Sequence, residues 1–190
     1  MEARLPLSSL SCSNLPRSDA LAVCILRFGH TLMELTYEED QSEYASEFFH
    51  ILSPLGIERY VHTHRVILSS SMPSHSHPTL TIHKSHVTPE LLPAVFLHEQ
   101  MHWRLTQSQK TPAILASLRR AFITRPDLDP VHLAVCHLEV RALSALLGTQ
   151  AAQRIAAQAH RYRDEYRIVL SDSEVILACL DGLGAAKRGL

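Results

Sequence analysis

The chain lacks any excess of charge of one sign. Its 18 Lys and Arg stand against 19 Asp and Glu, for a formal net charge of -1. Bulk electrostatics therefore gives no hold on nucleic acid or on an anionic membrane surface. The densest basic spots, Arg119-Arg120 and the group Arg161, Arg163 and Arg167, read as solvated helix faces. No C-x-x-C pair occurs among the four cysteines, Cys12, Cys24, Cys136 and Cys179. That excludes a zinc ribbon and provides no disulfide framework. No apolar run is long enough to span a bilayer. The stretch from Ala20 to Leu26 is short and follows Asp19, unlike the core of a secretory signal. From these absences we expect a reduced, cytoplasmic setting and no nucleic-acid or membrane partner. At 190 residues, 46% hydrophobic and 19% charged, the chain suits one globular domain with an ample core.

What the chain does have is histidine, 13 in all. Two of them stand in His98-Glu99-Gln100-Met101-His102, an H-E-x-x-H pattern. The surrounding stretch from Leu91 to Trp103 predicts a helix, and Val95, Phe96 and Leu97 lead straight into the motif. The histidines thus begin in a buried helix rather than a solvated one. Residues four apart share a helix face, so His98 and His102 can offer two imidazole nitrogens to one ion. Glu99 lies close enough to the open side of such an ion to take a proton from its bound water. The plainer alternative is a helix with two satisfied core histidines and a surface glutamate.

Around that helix the sequence predicts an α+β chain. Residues 1–17, rich in Ser, Pro and Leu, are expected to form a loose arm, leaving 18–190 as a single domain. Leu21 to Phe28 is a strand or the start of a helix. Thr36-Tyr37-Glu38-Glu39 has the form of a capping box and should open a helix through Tyr44, Phe48, Phe49 and Leu52, ending before Pro54. A small antiparallel or mixed sheet is expected over about 59–85. Arg59 to Leu68 is dense in β-branched residues, and Pro78 to His83 alternates apolar and polar. The stretch from Ser69 to His77 reads as a long loop. Beyond the H-E-x-x-H helix the chain reads as helical near 112–124, 130–148, 150–170 and 173–182.

A catalytic zinc ion needs three protein ligands and one open position. The helix after Pro130 offers Glu139, which shares a stripe with Val135, Ala142 and Leu146; His132 and Cys136 fall near it. A carboxylate on an apolar stripe is costly unless paired or metal-bound. An internal salt bridge to Arg141 or Arg104 is the plainer alternative. His137, two residues from Glu139, points elsewhere on the helix, and Glu139 is preferred.

His98-Glu99-x-x-His102 followed by a glutamate on a later helix resembles the gluzincin branch of the zincin metallopeptidases. Residues His98 to Trp103, with His137-Leu138-Glu139-Val140, also resemble bacterial proteins carrying an H-E-Q-x-H-W motif. The resemblance spans roughly 59–147 and implies one zinc per chain, held by His98, His102 and Glu139, with Glu99 as general base. It also implies a sheet before the motif helix whose strand holds an extended peptide by β-augmentation. The chain departs from the best-known gluzincins in lacking an N-E-x-x-x-D form around Glu139. Metzincins are disfavoured, because no G-x-x-H follows His102. Zincins commonly recruit Tyr or His from beyond the third ligand to stabilise an oxyanion, which singles out Tyr166 and Tyr162, with His160 behind them. His75 and His77, in a serine-rich loop, could form a second metal site or simply be solvated.

The expected activity is therefore zinc-dependent hydrolysis of peptide or protein amide bonds. Hydrolysis of a non-peptide amide and a non-catalytic interaction domain are the alternatives. Substrate identity and oligomeric state are not encoded in these motifs.

Overall fold

Alternating apolar and polar residues build the first layer. A computed structural model describes residues 21–181; the arm expected over 1–17 lies outside the described residues. Strand β1 (Leu21–Phe28) turns Cys24, Leu26 and Phe28 inward, and β2 (Thr31–Glu38) does the same with Met33, Leu35 and Tyr37. The two form an antiparallel hairpin through Gly29, whose φ of 57° is open to glycine without a steric penalty. Helix α1 (Ser42–Leu52) then crosses to β3 (Arg65–Ser69), which lies parallel to β2, and β4 (Leu80–His83) lies parallel to β3. The sheet is mixed, four-stranded and ordered β1-β2-β3-β4.

The rest is helical: α2 (Leu92–Thr106), α3 (Thr111–Ala121), α4 (Pro130–Leu147), α5 (Thr149–Gln158), α6 (Arg163–Ser171) and α7 (Ser173–Leu180). The class is α+β, as the sequence predicts. Helix α2 carries Pro93 in its first turn, where a missing N–H costs nothing. It is buried on most sides, between β4, α1 and α4. Helix α4 starts at Asp129-Pro130, with the Asp129 carboxylate accepting from the Val131 N–H at 2.9 Å. Among the described helices only α4 is long and apolar enough to cross a membrane (mean hydropathy 1.3), and half of it is buried within this fold.

Four expectations are corrected. The sheet begins at Leu21, well before 59, and the ambiguous stretch Leu21 to Phe28 is its edge strand. Thr36 opens no helix. It sits inside β2 between Val23 and Ile67, where pairing on both sides overrides a local cap signal, and α1 starts at Ser42. The segment before Arg65 is not strand. After Gly56, Ile57–Tyr60 makes a single tight turn, and the next amides are taken by a side chain from α2. The helix expected over 150–170 is two, because Ala159 is extended and Tyr162 left-handed at the break.

The edge of β4 that faces away from β3 is already occupied. The chain returns along it so that His75 and Thr81 exchange both backbone bonds, at 3.0 and 2.8 Å. The next outward amide, on His83, donates to Ser74 Oγ at 2.9 Å. Strand addition at this edge, which the zincin resemblance implies, has no free amide to use.

Gln100 and Trp103 hold the loops to α2. Gln100 is wholly buried; its Oε1 accepts from the His62 and Thr63 amides at 2.7 and 3.0 Å, and its Nε2 donates to Thr63 O at 3.1 Å. Trp103 Nε1 donates to Ser76 O at 2.7 Å, and its ring stacks on His77 at 4.4 Å. Replacing Gln100 by Leu strands two backbone donors and one acceptor. A loss of about 2–3 kcal/mol is expected in urea unfolding, and unchanged stability would show that the loop finds other partners.

Candidate metal centre

Helix α2 presents His98 and His102 four residues apart, with ring centroids 5.1 Å from each other. The first turn of α4 adds His132, 5.1 Å from the His102 ring and 5.9 Å from that of His98. One ring nitrogen from each of these three lies within 4.8 Å of the others, so the group could hold a metal ion.

Two of the three rings are oriented from behind by carboxylates. His98 Nδ1 donates to Glu139 Oε2 at 2.9 Å, and His132 Nδ1 donates to Asp129 Oδ2 at 2.5 Å. Each bond leaves Nε2 as the ring's free nitrogen, which is how metal-binding imidazoles are commonly held. Burial lowers the pKa of His102 to about 3, with His98 and His132 adding to the shift, so its ring is neutral at pH 7. Burial also lowers His132, against the opposing pull of Asp129. Glu99 is buried beside His98, and burial raises its carboxyl above the ordinary range.

Glu139 stands behind the histidines. It is 1% exposed, and its Oε2 also accepts from the Tyr166 hydroxyl at 2.6 Å. A second group, His98, Cys136 and Glu139, has donor atoms equally close. That group omits His102, and a cation there would compete with both hydrogen bonds on Glu139 Oε2. Burial pushes the Cys136 thiol up, so it is protonated at neutral pH.

Helix α6 closes the site from the other side. Tyr162, the residue just before it, stacks on His132 at 3.8 Å and on His98 at 5.3 Å. Its φ of 58° and ψ of 33° are left-handed, which for a tyrosine costs on the order of 1–3 kcal/mol. The Arg161 guanidinium lies 5.0 Å over the same ring. Glu165, one turn on, accepts from the Asp129 N–H at 3.2 Å and so steadies the group that orients His132.

The structure thus gathers His98, Glu99, His102, Glu139, Tyr162 and Tyr166 in one place. His132, Asp129 and Glu165 join them, though H-E-x-x-H spacing alone does not point to them. The available signal was Asp129-Pro130-x-His132, a helix start whose capping residue sits three before a histidine on the stripe of Cys136 and Glu139. His160 lines the cavity beside the site. His75 and His77 enter no metal-capable group among the described residues. His137 also stays outside both groups; it is 1% exposed, and neither ring nitrogen has a partner.

Comparison with protein-family models, with curated proteins and with solved structures returns no match to this chain.

Burial lowers the His137 pKa from 6.5 to about 4, with Arg141 adding to the shift. The unfolded chain binds this proton below 6.5 while the folded chain resists it until about 4. The stability it confers is therefore full above 6.5 and is lost as pH falls toward 4. His137→Leu is expected to flatten the decline in unfolding free energy between pH 7 and 4 by this one proton. An identical pH slope in both proteins would show that His137 is protonated at no cost.

Proposed function

We propose that this chain is a zinc-dependent metallopeptidase-type hydrolase of amide bonds. In this reading His98, His102 and His132 hold the ion, and Glu99 is the general base. One observation carries the reading: three imidazole nitrogens converge within 4.8 Å, two of the rings held by carboxylates behind them. Imidazole nitrogens suit zinc, and a three-histidine set leaves a fourth position open for water. His132 replaces Glu139 in the ligand set inferred from the sequence, because Glu139 Oε2 is already committed to His98 and Tyr166. Glu139 is then the group that positions His98. A mixed sheet preceding the H-E-x-x-H helix supports a zincin-like arrangement.

When bound, zinc supplies Lewis acidity and brings water toward ionisation near neutral pH. Glu99 takes the proton from the attacking water and passes it to the leaving amine. Tyr162, over the His98 and His132 rings, is placed to donate to the oxygen that gains charge. Tyr166 has its hydroxyl tied to Glu139 and acts through it, as a positioning residue.

A second reading, hydrolysis of a non-peptide amide, is favoured by the covered edge of β4, which offers no backbone pairing to an extended peptide.

Calorimetric zinc titration tests the ligand set. Wild type should bind about one ion, His132→Ala should abolish binding, and Glu139→Gln should weaken it 10–100-fold. Abolition by Glu139→Gln with little effect of His132→Ala would restore Glu139 as the ligand. Glu99→Gln should keep its zinc and lose at least about 10²-fold in turnover of a peptide and acyl-amide library. Full activity in that variant would remove Glu99 from the chemistry, and a wild type that binds zinc without turnover would leave an interaction domain.

A further inference from the structure

The site opens into a cavity of about 540 Å³, a size typical of small-molecule pockets. His98, Glu99, Glu139 and Tyr166 form one part of its lining. Leu91 with Ala94 and Val95 at the start of α2, and Ala151 and Ile155 from α5, make its apolar walls. Arg154 and Arg161 also line it, and neither makes an ion pair among the described residues. Arg154 is exposed on α5, and Arg161 is held over the Tyr162 ring beside the histidines. Glu90 is the one acidic residue of the lining besides Glu99 and Glu139.

We propose that the substrate enters by its end: a short amide with an apolar group in this cavity and a free carboxylate on Arg154 and Arg161. The proposal rests on the hydrolase reading and names its substrate class. Three features converge on it. The two outward amides of β4, on Thr81 and His83, are taken by His75 and Ser74, so an extended chain gains no main-chain bonds there. The cavity volume accommodates one or two residues, not a long segment. Two guanidiniums without an ion pair among the described residues, beside apolar walls, match a carboxylate attached to an apolar group, because arginine binds carboxylates with two parallel hydrogen bonds. The reaction remains a hydrolysis. Water's oxygen bonds to the acyl carbon, the C–N bond breaks, and the proton held by Glu99 goes to the departing nitrogen.

The test pairs N-benzoyl-leucine with its carboxamide, which differ only in the charged end, and adds an internally cleavable heptapeptide blocked at both ends. Zinc-loaded wild type should turn over the acid at least about tenfold more efficiently than the carboxamide and leave the blocked peptide intact. Arg154→Gln should raise KM for the acid about tenfold while leaving the carboxamide unchanged, and Arg161→Gln should raise KM for the acid by a similar factor. Arg154 stands on α5 and it is Arg161 that covers the Tyr162 ring, so a shared effect on the acid is not a consequence of uncovering that ring. Calorimetric binding of the same acid to zinc-loaded Glu99→Gln protein gives a readout independent of turnover. Carboxylate-dependent binding without wild-type turnover would sink the hydrolase reading and keep the pocket assignment. Equal handling of acid and carboxamide, cleavage of the blocked peptide, or absence of binding would overturn the proposal.

Discussion

A carboxylate buried to 1% exposure in an apolar interior must find hydrogen-bond donors or be neutralised, and Glu139 finds two. Its Oε2 accepts from His98 Nδ1 on α2 and from the Tyr166 hydroxyl on α6. These bonds tie three helices together at one atom, and breaking such a buried set costs about 3–5 kcal/mol. The orientation of His98, the closeness of α2 to α4 and the seating of α6 all follow from meeting that requirement. A polar network of this kind specifies one arrangement of helices where apolar packing alone would tolerate several.

The same logic recurs at His132. Asp129 caps α4 through the Val131 amide and holds His132 Nδ1, and its own amide is taken by Glu165. The N-terminal turn of α6 therefore supports His98 through Tyr166 and Glu139, and His132 through Glu165 and Asp129. Tyr162 begins that turn in a left-handed conformation, and its ring covers the cluster. Strain at a residue in contact with the site is tolerated when surrounding contacts over-determine it. On the far side of α2, Gln100 and Trp103 pin the loops at 62–63 and 76, so the motif helix is fixed on both faces.

Much of this was legible in the residues. The H-E-x-x-H spacing places His98, Glu99 and His102 on one helix, because a period of 3.6 is a local property of the backbone. The helix through Phe48 and Leu52, the long helix after Pro130 and the alternation at 80–83 were equally local signals. The apolar stripe around Glu139 correctly marked a carboxylate that needs a partner. In the fold that need is met by hydrogen bonds from His98 and Tyr166, partners that lie on other helices and leave no mark on the stripe itself. Thr36 misled because sheet pairing on both sides outweighs a capping signal. The break at Tyr162 was invisible because no glycine or proline marks it.

The sequence by itself determined the α+β class, the motif helix, the pair of histidines on one of its faces and the carboxylate between them. All of these depend on residues close together in the chain. Only the tertiary structure decided that His132 joins the pair, that Glu139 and Asp129 stand behind the rings, and that β4 has no open edge. Each of those depends on atoms brought together from distant segments: His98 and Glu139 are 41 residues apart, and Tyr166 is 27 beyond Glu139. Spacing along one helix carries no information about which neighbour a side chain will meet across the core.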